Sequence, residues 1–219
     1  MNLVFLGAPG AGKGTQAGIL AKRIGLPVIS TGYLLREAVK KETPYGLTAK
    51  FYMELGELVP DEVIIDIMHE RLAMPDCEKG CVLDGMPRTI VQAEALDEAD
   101  IEVDVAISIE IPDEVLIERI SGRRSCPDCG TSFHVKAAPP KVEGVCDECG
   151  GALLIRKDDE AETVRNRLTV FHRETEPLKD FYMARGILIV VDNMPGIEAT
   201  TKVIFEALGI FDDNTQVSP

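Results

Sequence analysis

Gly7-Ala8-Pro9-Gly10-Ala11-Gly12-Lys13-Gly14-Thr15 follows directly on the apolar run Leu3-Val4-Phe5-Leu6 and opens a helical pattern from Gly14 to Ile24, with Ile19, Leu20 and Ile24 on one face. Strand, glycine-rich loop, lysine and helix in that order read as a phosphate-binding loop. Glycines let the backbone take positive φ and turn its N–H groups inward. With the helix N-terminus these form an anion cradle, and Lys13 adds a point charge for the outer phosphates. Gly10, Ala11, Gly12, Lys13, Gly14 and Thr15 are therefore the residues expected around a polyphosphate; a glycine-rich turn without a ligand is the alternative. The residue after Lys13 is Gly14 rather than Ser or Thr, and the hydroxyl of Thr15 comes one place later. Magnesium is thus expected to arrive with a nucleotide and to be held mainly through phosphates and water.

Outward from this loop, further apolar runs lie at Val28-Ile29, Cys81-Val82-Leu83, Val103 to Ile109 and Ile187 to Val191, each followed by a helical pattern. Five strands alternating with helices predict an α/β fold, a doubly wound five-stranded parallel sheet. Two segments break the alternation. From Ser30 to Pro60 two helical patterns, Tyr33 to Lys41 and Thr48 to Leu55, run in succession around a Pro44 break, a helical insert. From Gly122 to Asp159 the pattern dissolves into Gly, Pro and four cysteines, after which one long helical stretch, Ala161 to Ala184, returns to the core. The tail after Phe211 is expected to be disordered.

A chain of 219 residues, 45% hydrophobic and 27% charged, with mean hydropathy near zero, is long enough to bury a core. Its 23 Lys+Arg against 37 Asp+Glu give −14, which disfavours phosphate backbones and anionic lipid as general partners. Residues 1–121 carry 11 basic and 21 acidic side chains and residues 160–219 carry 6 and 10, whereas residues 122–159 balance at 6 and 6. No run of about 18 uncharged apolar residues is present and the first apolar run stops at Gly7, so a soluble protein that stays in the cytoplasm is expected.

The cysteines Cys126, Cys129, Cys146 and Cys149 form C-x2-C-x16-C-x2-C, each pair followed by glycine. This spacing reads as a closed tetrahedral four-thiolate zinc site that staples a small insert; iron or cobalt also accept four thiolates. His134 is an outside candidate as a ligand, and Cys77 and Cys81 read as buried thiols of the core. His69 and His172 fall on predicted helices as ordinary histidines. Arg36, Arg88, Arg123, Arg156 and Arg167 stand in loops or at element ends, where guanidinium groups can turn toward the mouth of the strands. Such charge suits phosphoryl transfer, which asks mostly for positioning and electrostatic stabilisation. Asp84 ends a strand beside the loop and suits an outer hold on magnesium, with a turn or capping role as the alternative.

The fragments GAPGAGKGTQA (7–17), ISTG (29–32), LLR (34–36), LDGMPRT (83–89) with Gln92, GRR (122–124), RKDD (156–159) and ETVRNRL (162–168) with PL (177–178) together resemble the adenylate kinases in their long form. The resemblance covers nearly the full chain. It implies a P-loop kinase core over 1–29, 60–121 and 160–219, an AMP-binding insert over 30–59 and a metal-stapled lid over 122–159. It implies the reaction ATP + AMP ⇌ 2 ADP with magnesium, in a monomer, with no nucleic acid or membrane partner. Carried over by position, the AMP site falls on Thr31, Arg36, Glu57, Leu58, Val59, Gly85, Met86, Pro87, Arg88 and Gln92, with Arg156 and Arg167 reaching in. The ATP site falls on Gly10 to Thr15, Arg123, Ser132, Phe133 and backbone near Pro195. Lys13, Arg88, Arg123, Arg156 and Arg167 are then the catalytic cations.

Two positions depart from the family pattern: Tyr33 stands where an aspartate is usual, and Met86 where phenylalanine is usual. The first removes a carboxylate credited with holding magnesium waters, and losing such a partner typically weakens metal affinity about 10-fold to 100-fold. Two rival readings are a kinase for another nucleoside monophosphate and a P-loop switch whose cysteine module is a zinc ribbon for a binding partner. The module's charge balance and its one aromatic, Phe133, speak against base stacking.

Overall fold

Four consecutive shielded residues, Leu3 to Leu6, leave the first strand no place except the middle of a sheet covered on both faces. In the computed structural model, which describes residues 1–192, 194 and 196–211, the elements run β1 (Asn2–Leu6), α1 (Lys13–Ile24), β2 (Val28–Ser30), α2 (Thr31–Lys40), α3 (Pro44–Leu55), α4 (Asp61–Leu72), β3 (Cys81–Asp84), α5 (Ile90–Glu98), β4 (Val105–Glu110), α6 (Asp113–Ser121), β5 (Arg123–Ser125), β6 (Ser132–His134), α7 (Ala161–Val170), α8 (Leu178–Ala184), β7 (Leu188–Asp192) and α9 (Ile197–Ala207). The sheet is parallel with order β2-β3-β1-β4-β7. Alternation along β1 sends Val4 and Leu6 into one apolar layer and Leu3 and Phe5 into the other.

The strand order explains where a ligand can sit. From β1 the chain first builds outward to β2 and β3 on one side and later to β4 and β7 on the other. The crevice at the carboxyl end of β1 lies at this reversal. Register brings Asp84 opposite Phe5 and Ser30, and Ser108 opposite Leu6, so three polar residues ring the start of the phosphate loop.

The expected elements are present, with instructive shifts. Helix α3 starts at Pro44 rather than Thr48: the Thr43 side chain accepts from the Gly46 N–H at 3.0 Å, and proline is favoured in a first turn. Its packing against α2 is backbone to backbone, since a Cβ on Gly46 would lie 2.0 Å from the Ala38 carbonyl oxygen. The single helix expected from Ala161 to Ala184 is divided. A wide π-type turn at Phe171–Thr175 follows α7, and Pro177, which has no N–H and crowds the preceding turn, forces a restart at α8. Residues 212–219 lie outside the described residues, and with them the expected disordered tail. Among the described residues no helix is long and apolar enough to cross a membrane.

Candidate active site

Gly10 is held at φ +84°, and a Cβ there would lie 2.7 Å from Ile120 Cγ1, so both conformation and space require glycine at the turn of the loop. The turned backbone delivers the N-terminus of α1 to the crevice, where Lys13 Nζ donates to the carbonyl oxygens of Gly7 (2.7 Å) and Ala8 (2.9 Å). Burial pushes the Lys13 amine down to about 7; Asp84 opposes this, and Arg88, Arg167 and Arg123 add to it. The absent Ser or Thr after Lys13 has a steric counterpart. A Cβ on Gly14 would stand 3.1 Å from Asp84 Oδ2, so the strand-end carboxylate occupies the ground next to the loop. Asp84 Oδ2 also accepts from the Ser30 hydroxyl at 3.2 Å.

The loop forms one wall of a cavity of about 1050 Å³, beyond the usual range of roughly 300–1,000 Å³ for pockets holding one small ligand. Around it stand Lys13, Arg36, Arg88, Arg123, Arg156 and Arg167, drawn from the loop, α2, the β3–α5 turn, the cysteine module and α7. A protein of net charge −14 thus gathers these six of its 23 Lys and Arg side chains around one cavity. Carboxylates hold the guanidiniums in position. Arg123 donates through two nitrogens to Asp159, and Arg167 Nη1 donates to Asp158 Oδ2 (2.8 Å) and its carbonyl (3.0 Å). Burial, then Asp158, Arg123 and Arg88, shape Arg167, with a net lowering; Arg156 is lowered by burial and by Arg123 and Arg36. Although burial pushes Asp158 up, Arg167, Arg156, Arg123 and Arg36 bring its carboxyl below the usual range. The buried Arg156 Nε has no hydrogen-bond partner among the described residues, although Nη2 reaches Ser132 Oγ at 3.0 Å.

Across the cavity, Thr31 Oγ1 donates to the Gly85 carbonyl (2.7 Å) and Arg88 Nε to the same oxygen (3.0 Å). Glu57, Leu58, Val59, Gly85, Pro87 and Gln92 complete that wall. Met86 does not line it: its side chain is 2% exposed, packed in the core with Leu6, Ile29 and Leu83. Ser132 and Phe133 line the cavity from β6. Pro195 lies outside the described residues; Gly196, Ile197 and Thr200 beyond it contribute to the cavity wall. Sequence reading passed over Arg119, which also lines the cavity, and weighed His134, another lining residue, only as a metal ligand. Their signal was a helix end and a strand end facing it. Arg124, next to Arg123 in the GRR fragment, donates to the carbonyls of Ser121 and Arg123.

The four sulfur atoms of Cys126, Cys129, Cys146 and Cys149 all lie within 4.8 Å of one another, with Cys126–Cys149 and Cys129–Cys146 at 3.5 Å. Disulfide sulfurs stand about 2.05 Å apart. A tetrahedron of thiolates about 2.3 Å from a central ion has edges of about 3.8 Å, which this donor set fits. The cluster could hold a metal ion. His134 is not part of it: its Nδ1 accepts from the N–H groups of Lys136 and Ala137, and its Nε2 is turned against Gly122 rather than toward the sulfurs. Cys81 is buried and pushed up to about 12 by burial, and Cys77 is partly buried beside Arg71. His172 bridges Asp113 and Glu176. Tyr33 meets the module directly. Its hydroxyl donates to the Asp128 carbonyl (3.2 Å), its ring covers Gly130, where a Cβ would lie 2.6 Å from Cδ2, and nearby Lys40 pairs with Asp128 at 3.1 Å.

A family model described as adenylate kinase matches residues 5–187. Among curated proteins, the chain is 55% identical over 214 residues to the adenylate kinase of Caldicellulosiruptor bescii, covering 96% of this chain and 100% of that one. It is 54% identical over 212 residues to that of Carboxydothermus hydrogenoformans (95% and 99% covered) and 53% over 208 to that of Archaeoglobus fulgidus (93% and 96%). Similarity that runs through sheet, helical insert and cysteine module alike, with more than half the residues identical, has one meaning: this chain belongs to the adenylate kinase family.

Proposed function

We propose that the enzyme moves the terminal phosphoryl group of magnesium-bound ATP onto AMP, reversibly, to give two ADP. The observation that carries this is the convergence of Lys13 and the guanidiniums of Arg36, Arg88, Arg123, Arg156 and Arg167 on one cavity. The donor polyphosphate lies on the backbone of Gly10 to Thr15 with Lys13 at its outer phosphates; Ser132, Phe133 and the backbone near Pro195 flank the adenosine. The acceptor takes the other wall. Arg36 and Arg88 hold its phosphate by bidentate bonds, Thr31, Glu57, Leu58, Val59, Gly85 and Pro87 enclose the nucleoside, and Gln92 reads the adenine edge. Arg123, Arg156 and Arg167 neutralise the oxygens of the group in transit, where little covalent help is needed.

In this reading the helical insert, 30–59, carries the acceptor and the module, 122–159, is a lid that excludes water when both substrates are seated. The core is 1–29, 60–121 and 160–219. Magnesium, when bound, screens the phosphate oxygens. Asp84, an oxygen donor beside the loop, suits its bound waters. Zinc is the ion proposed for the four thiolates. Reduced cysteines suit a cytoplasmic enzyme, and it works as a monomer. The deciding experiment is ADP formation from ATP with AMP, UMP, CMP and GMP offered side by side. AMP is expected to be the best acceptor by a wide margin; no AMP-dependent ADP above background overturns the reading. Elemental analysis of the same material identifies the ion.

The low value for Lys13 makes a second expectation. A polyphosphate brought against the amine adds negative charge and raises it again. At pH 8 an amine titrating at about 7 is about nine-tenths neutral, so binding of a β,γ-imido ATP analogue takes up close to one proton. By linkage, affinity then falls as pH rises above about 7. Calorimetry at pH 8 in buffers of different ionisation enthalpy measures the uptake, which Lys13→Met abolishes.

A further inference from the structure

Gln92 is 1% exposed in the cavity wall, and both ends of its amide are already engaged. Oε1 accepts from the Arg88 backbone N–H at 2.8 Å, and Nε2 donates to Asp61 Oδ1 at 2.7 Å. Neither partner is ambiguous. A backbone N–H can only donate and a carboxylate can only accept, so the amide's orientation is fixed by its neighbours. Asp61 opens α4 and is itself held by the Thr89 hydroxyl, which donates to the same Oδ1 at 3.0 Å while accepting from the Gln92 N–H at 3.1 Å.

We propose that Asp61 is a positioning residue that sets base specificity by locking the Gln92 amide in the orientation that reads a 6-aminopurine. This rests on the reading that Gln92 faces the acceptor base. In the locked orientation Nε2 has one hydrogen left to donate to a ring nitrogen, and Oε1 has one lone pair left to accept from an exocyclic amino group. That is the complement of adenine. A 6-oxopurine, guanine or hypoxanthine, offers a ring N–H and a carbonyl oxygen instead, and pairing with it needs the amide turned over. Turned over, Oε1 would oppose the Asp61 carboxylate and Nε2 would oppose the Arg88 N–H, two mismatches in a buried site. A site built to hydrogen-bond one pattern rejects the other strongly because its own groups are left unpaired.

The test compares kcat/KM for AMP and for inosine monophosphate, with ATP as donor. Asp61→Asn keeps the shape but can accept or donate, so it removes one of the two fixed partners and the mismatch a turned-over Oε1 would meet there. The AMP preference is expected to fall at least about tenfold, with the larger part in the KM values. Asp61→Ser serves if the first variant folds poorly. In a Gln92→Ala background Asp61→Asn is expected to change the ratio no further, because Asp61 acts through Gln92. Thr89→Val, which removes the α5 cap and a bond to Asp61 while sparing the amide's two partners, should lower the melting temperature and leave the ratio alone. If Gln92→Ala raises the KM for AMP yet Asp61→Asn leaves the ratio within about twofold, the lock is wrong and the acceptor site stands. If Gln92→Ala leaves that KM unchanged, the acceptor site itself is misplaced and the lock falls with it.

Discussion

Arg88→Ala enzyme is expected to turn over about a hundredfold more slowly, or worse, at saturating ATP and AMP. The size of the loss follows from how the side chain is held. Arg88 is fixed at several points: Nε donates to the Gly85 carbonyl at 3.0 Å, its own carbonyl accepts from Thr175 Oγ1 at 2.8 Å, and its N–H donates to Gln92. The guanidinium is therefore in place before any phosphate arrives and needs no ordering at the moment of transfer. Burial lowers Arg88, with Asp84 and Asp158 opposing. That loss of hydration is what an arriving phosphate reverses. Removing one preorganised donor from such a site costs about 10²–10³ in kcat. Arg88→Lys restores only part, because a point charge lacks the planar fork. A coupled ADP assay with a thermal melt of each variant checks this. A loss under about fivefold in a folded protein would mean that Arg88 does not meet the transferred group.

The difference between what the sequence disclosed and what it hid has a physical pattern. The phosphate loop was legible because its function is local: nine consecutive residues supply strand end, glycines, lysine and helix start. The sheet was legible because buried parallel strands must be uniformly apolar, and the cysteine site because metal geometry fixes ligand spacing. Contacts that exist only between distant segments left no such trace. Asp61 and Gln92 are 31 residues apart, and nothing in DEVIIDI marks its first carboxylate as the partner of an amide. Tyr33 read as a missing carboxylate. In the structure it is a hydroxyl and a ring set against the Asp128–Gly130 turn, 95 residues away. Met86 differs in the opposite sense: position within a motif assigned it to the site, while its apolar side chain packs in the core.

Cys129→Ser is expected to strip the protein of its ion, with the metal-to-protein ratio falling from about one toward zero, and to lower the melting temperature. The module offers little else to hold it together. Its apolar core is Cys126, Cys146 and Leu153 with Phe133 packed alongside, and its regular structure is the two-stranded β5–β6 pair with a few isolated bridges and one 3-10 turn. A hairpin of that size is marginal by itself in water, and segments this small usually need a metal or disulfide. Although burial pushes the Cys129 thiol up, its hydroxyl and N–H contacts with Thr131 bring it down to about 7, favourable for a ligand that must bind as thiolate. Forfeiting even about 2 kcal/mol of the metal's contribution shifts the melting temperature of a chain this long by roughly 4–8 °C. Kinetics should divide along the same line. Arg123, Ser132 and Phe133 ride on β5 and β6, so KM for ATP rises, whereas Lys13, Arg36 and Arg88 stand on the core and the helical insert and keep part of kcat. Cys77→Ser, outside the cluster, should leave metal content unchanged and so separates loss of a ligand from loss of a thiol. An unchanged melting temperature in a Cys129→Ser protein that has lost its metal would remove the metal as the staple. The Tyr33–Asp128 and Lys40–Asp128 contacts would then be left as the module's principal anchor to α2.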